Sequence, residues 1–120
     1  THNQKGNGYK ELQKIDLFHM EQYAYILSRM KTTKEHDGSS LLDNALVTYG
    51  AGLGDGATHQ YYDLPLIIAG KSQGQVKQGR FIQCKSGTLN SNMWLTLAQL
   101  MGVEIDQFAD STGVIADMWN

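Results

Sequence analysis

The chain has 120 residues, 41% of them apolar and 18% charged, and its ten basic and twelve acidic side chains leave a formal net charge of −2. That length holds one small core, and the charge balance supplies no basic field with which to track a nucleic-acid backbone. The single cysteine, Cys84, excludes an intrachain disulfide and a Cys/His structural zinc site, and no apolar run approaches the ~20 residues of a membrane-spanning helix. The first residues, THNQKG, read neither as a signal peptide nor as an initiator start, so the expectation is a chain processed or excised from something longer.

Along the chain, Asn7-Gly8 reads as a turn. Residues 9–32 follow as a helix, with Leu12, Ile15, His19, Tyr23, Ile26 and Met30 at three- and four-residue spacing and Leu27 alongside. His19 falls in the middle of that apolar face, the setting of a core histidine with one satisfied hydrogen bond. The polar break 34–40 (KEHDGSS) ends the helix and places His36 in solvent. Residues 46–50 and 64–69 read as strands. Each is nearly continuously apolar rather than alternating, which predicts burial on both sheet faces and hence an α/β fold. Residues 80–85 (RFIQCK) suggest a short edge strand. A helix over 89–101 follows, capped by Thr88, striped by Leu89, Met93, Trp94, Leu97, Leu100 and Met101, and closed by Gly102. The remainder offers Phe108, Val114, Ile115 and Trp119 for packing. These elements are too few for a complete doubly wound sheet, so residues 1–120 read as a single domain or as the C-terminal fragment of a larger α/β domain.

The segment 45–70, ALVTYGAGLGDGATHQYYDLPLIIAG, concentrates the chemistry. Its two strands enclose a loop carrying four glycines, Asp55, His59 and Asp63. A dinucleotide fingerprint G-x-G-x-x-G fails in both frames, since Asp55 or Ala57 takes the last glycine position. Gly70-Lys71-Ser72 has the ending of a phosphate-binding loop, but Pro65 stands where its first glycine belongs and no helix pattern follows. Asp55, His59 and Asp63 are spaced by four and offer hard oxygens and imidazole for a divalent metal; the competing reading is a surface pair or a turn-stabilising contact. His2 is a further candidate ligand from the N-terminus. Tyr61 and Tyr62 read either as an aromatic lid or as packing over the loop. No G-x-S-x-G nucleophile elbow occurs, and Ser72, Ser86 and Ser91 read as loop or capping serines.

The segments FHMEQYAYIL (18–27), DGSSLLDNALVTYGAGLGDGATH (37–59), DLPLIIAG (63–70), QGRFIQ (78–83), LNSNMWLTLAQLMGV (89–103) and QFADSTG (107–113), with THN at 1–3, together resemble the C-terminal part of the HXXSHH family, exported bacterial proteins of uncharacterised function. In that likeness Thr1 replaces the serine of the namesake motif, His2 matches a histidine and Asn3 stands at the last one. Gly54, Asp55, Gly56 and His59 match the family's glycine-rich segment, and Tyr61 stands where a second histidine is usual. A looser similarity is to the alkaline-phosphatase and sulfatase superfamily.

These resemblances imply an α/β fold, the C-terminal portion of an alkaline-phosphatase-like sheet covered by helices. They also imply a periplasmic or extracellular location, a divalent metal held by His2, Asp55 and His59, and hydrolysis of small phosphate or sulfate esters. The remainder of a longer chain would supply the nucleophile. The alternatives are a non-catalytic binding or scaffold module on the same fold, motivated by Asn3 and Tyr61, and a small domain complete in itself.

Overall fold

The computed structural model describes residues 7–119 and places in order α1 (Asn7–Thr32), α2 (Leu41–Asn44), β1 (Val47–Gly50), β2 (Leu66–Ala69), α3 (Asn90–Leu100) and a 3-10 turn (Ala116–Met118). The fold is mixed helix and strand, with one antiparallel pair whose register sets Val47 opposite Ala69 and Gly50 opposite Leu66. Asn7 and Gly8 lie within the first helical turn rather than in a turn before it.

The break after α1 is a tight reversal. The Glu35 N–H donates to Ser39 O at 2.8 Å, Gly38 takes φ +88°, and the Asp37 carboxylate accepts from both the backbone N–H and the hydroxyl of Ser39. Those bonds, the Ser39 hydroxyl first, hold the Asp37 carboxyl below its usual range. Ser40 then caps α2 in a reciprocal box with Asp43, a short helix that apolar periodicity does not reveal.

The strands differ from their predicted burial. β1 is half-buried until the exposed Gly50, and in β2 Leu66 and Ile67 face solvent while only Ile68 and Ala69 are partly covered. A four-residue pair packs at one end only, so a continuous apolar run does not produce two covered faces here. Residues 80–85 form no strand; Ile82 turns onto the core while Phe81 stands exposed.

The core is built on α3. Met93, Leu97 and Leu100 join Val76 and Met118, flanked by Leu46, Ile68, Ile82, Ile115 and Trp119. The helix begins at an N-cap of Leu89 that makes no side-chain capping bond, so Thr88 does not cap it. Gly102 closes it as expected: at φ +81° its N–H donates to Gln99 O, and the Val103 N–H donates to Ala98 O. Polar residues of α3 hold the chain's end. Asn92 accepts from the Thr112 N–H at 2.8 Å, and the fully buried Thr96 hydroxyl donates to Asn92 O at 2.6 Å while accepting from the Ile115 N–H at 2.8 Å. In the tail Ile115 and Trp119 pack as expected, whereas Phe108 and Val114 remain exposed.

α1 meets the rest of the molecule at α2 and through Tyr23. Its hydroxyl donates to Val47 O at 2.9 Å, and its ring lies 5.3 Å from that of Tyr49. Burial pushes the phenol pKa up. His19 is not in a core; it is exposed, with its ring 5.9 Å from that of Phe18.

Candidate functional site

The loop joining β1 to β2 is closed twice. The Ala51 N–H donates to Pro65 O at 3.3 Å, carrying the ladder one step past the strands. Further out, Asp55 and Gln60 form an antiparallel bridge, with the Gly54 N–H donating to Gln60 O at 2.8 Å and the Gln60 N–H to Asp55 O at 3.1 Å. One glycine is set by that crossing: a Cβ on Gly54 would lie 2.2 Å from Tyr62 O. Gly52 and Gly56 have open space where a Cβ would go. The glycine at 54 therefore answers to a close approach of the chain to itself.

Asp55 sits at the head of the inner turn. One carboxylate oxygen accepts from the Ala57 N–H at 2.8 Å and the other from the Thr58 hydroxyl at 2.8 Å, an arrangement that substitutes side-chain acceptance for a backbone turn bond. The Ala57 N–H, and then the Thr58 hydroxyl, stabilise the ionised form and lower the carboxyl's pKa. His59 follows at φ +57° with its side chain exposed, and Asp63 takes φ +53° beyond the bridge.

Of the predicted metal ligands, Asp55 and His59 thus share one turn, while His2 lies outside the described residues. Among the described residues no group of three or more His, Cys, Asp or Glu side chains is placed to hold a metal ion. Tyr61 and Tyr62 neither pack the loop down nor cover it; they project at 76% and 62% exposure.

A second polar cluster lies beside α2. Lys31, Ser40, Leu42, Asp43, Gly70, Lys71 and Gln78 line a cavity of about 230 Å³ between the end of α1, α2 and the segment after β2. The Lys71 ammonium stands 2.8 Å from the Asp43 carboxylate, whose other oxygen accepts from the N–H and hydroxyl of Ser40. Lys71 first, and then Ser40, hold the Asp43 carboxyl far below its usual range. The signal available in the sequence was the S-x-x-D spacing of residues 40–43, a capping box once a helix is suspected there.

This cluster also settles the geometry of Gly70-Lys71-Ser72. The Lys71 N–H donates to Leu42 O at 3.1 Å, the Gln73 N–H donates to Asp43 O at 2.8 Å, and the buried Ser72 hydroxyl donates to Leu100 O. Amides that would face a phosphate in a P-loop are bonded to carbonyls instead. Gly70 is required by its φ of +109° and because a Cβ there would lie 2.0 Å from Ala45 O. In comparisons with protein-family models, curated proteins and solved structures, nothing matches this chain.

Proposed function

We propose that this chain is a binding or scaffold module whose contact surface is the β1–β2 loop, with Tyr61 and Tyr62 as its anchors. The observation that carries the reading is the commitment of Asp55: both carboxylate oxygens serve the turn that holds the two tyrosines out in solvent. Tyrosines displayed on a closed loop offer large contact area at small entropic cost, and each retains a hydroxyl for a partner's polar groups.

A second reading keeps the chain as the C-terminal part of an exported HXXSHH-type protein with an alkaline-phosphatase-like sheet. There, His2, Asp55 and His59 hold a divalent metal, with a nucleophile from the rest of a longer chain. It is favoured by the placement of an ionised Asp55 and an exposed His59 on one turn. Such a metal would polarise the ester and activate the attacking oxygen.

Turnover of p-nitrophenyl phosphate and p-nitrophenyl sulfate in the presence of zinc, manganese or magnesium separates the two. The binding module is expected to give buffer-level rates that His59→Ala leaves unchanged. Metal-dependent turnover that falls about 100-fold or more in His59→Ala, the scale of losing a metal ligand or its orienting partner, overturns it. Tyr61→Ala and Tyr62→Ala are expected to leave unfolding free energy within about 0.5 kcal/mol, because side chains held out for a partner do little for their own fold.

A further inference from the structure

α1 has a second apolar stripe that the fold leaves uncovered. Leu12, Met20, Leu27 and Met30 lie on its more covered side with the buried Tyr23. On the other side Ile15, Phe18, Tyr25 and Ile26 are 48%, 56%, 62% and 48% exposed. Glu11, Ile15, Phe18, Gln22, Tyr25 and Arg29 recur at alternating steps of four and three, the spacing of a two-helix seam. At about 1.5 Å per residue that seam runs about 27 Å, five turns of helix.

The first and last positions of the seam, Glu11 and Arg29, carry opposite charge. If a second copy lies antiparallel across it, Glu11 faces the second copy's Arg29, Ile15 faces its Tyr25 and Phe18 faces its Gln22, and two-fold symmetry repeats each pair. Every layer then sets a first-type seam position against a second-type one, as antiparallel packing requires. A parallel pairing would instead stack Glu11 on Glu11 and Arg29 on Arg29 and align the helix dipoles unfavourably. Within its own helix Glu11 is also bonded to Lys14 at 2.8 Å, an exposed pair that leaves a carboxylate oxygen for a partner.

We propose that α1 is a homodimerisation element, through which a second copy of this chain docks antiparallel along the stripe from Glu11 to Arg29. The inference concerns a different element from the tyrosine loop and does not rest on the function assigned there.

Sedimentation equilibrium of the chain from about 1 µM to about 1 mM tests it, with helical content followed by circular dichroism. The native chain is expected to dimerise, and Phe18→Glu to abolish the dimer without loss of helix. Glu11→Arg and Arg29→Glu are each expected to raise the dissociation constant about tenfold, because each sets like charges opposite one another at both ends of the seam. The double variant E11R/R29E, and an equimolar mixture of the two single variants, are expected to restore association. A chain that stays monomeric throughout, or a dimer indifferent to the charge exchange, overturns the proposal.

Discussion

At the scale of single residues, neighbouring glycines have different reasons to be glycine. Gly54 and Gly56 flank Asp55 in one motif, but only Gly54 meets another part of the chain, where a Cβ would lie 2.2 Å from the Tyr62 carbonyl oxygen. That oxygen belongs to the backbone and cannot swing aside as a long side chain would. Gly54→Ala is therefore expected to cost about 1–3 kcal/mol through overpacking of the loop crossing, whereas Gly56→Ala stays within about 0.5 kcal/mol. Urea unfolding of the two variants checks this, and equal losses would show that the crossing does not constrain the loop. The sequence displayed these glycines but could not rank them, since the difference depends on where Tyr62 returns. The same holds for Asp55: its spacing from His59 fits a ligand or a turn-stabilising contact, and the bonds to Ala57 and Thr58 show that it makes the turn contact.

At the scale of elements, α1 and α3 were legible because long periodic segments announce themselves, and the Gly102 terminus of α3 followed from the glycine's place after the last apolar residue. The packing of α1 was less so. Its apolar positions wrap more than one side, so the pattern merged a covered face at Tyr23 and Leu27 with an uncovered one at Ile15 and Ile26, and it put His19 in a core that is not there. One of the contacts that dock α1 is polar. The Tyr23 hydroxyl donates a hydrogen bond to Val47 O at the inner end of the strand pair, and Tyr23→Phe is expected to cost about 1 kcal/mol in thermal unfolding at neutral pH. Because burial raises the phenol's pKa above 10.0, the contribution is complete below pH 10 and is lost as pH rises through the folded-state value. The stability gap between native chain and variant should thus narrow above pH 10; a constant gap would mean that the phenol titrates alike in both states.

At the scale of the whole molecule, the Cα radius of gyration is 16.6 Å and the extents are 51 × 36 × 22 Å. A compact chain of this length would have a radius near 14 Å. The excess fits a 26-residue helix beside a core gathered elsewhere on α3. Polar residues of α3 fasten the tail that completes that core. The tail from Thr112 to Trp119 forms no strand or long helix of its own, yet it supplies Met118 to the core and pairs Trp119 with Val76. Its mixed sequence offers Ile115 and Trp119 for packing but does not show what fastens it, because the groups that fix it are on α3: Asn92, and Thr96 with its hydroxyl between Asn92 O and the Ile115 N–H. Thr96→Val keeps the shape of the side chain and removes the hydroxyl, leaving the Ile115 N–H without that acceptor. The expected cost is about 1–3 kcal/mol, the usual penalty for depriving a partly buried donor of its bond. If the tail is fastened at this point, amide exchange in residues 112–119 should accelerate more than exchange in the strand pair, since Met118 loosens with it. Uniform acceleration across the chain would instead mean that tail and core open only together, and that the hydroxyl stabilises the molecule without defining a separate unit within it.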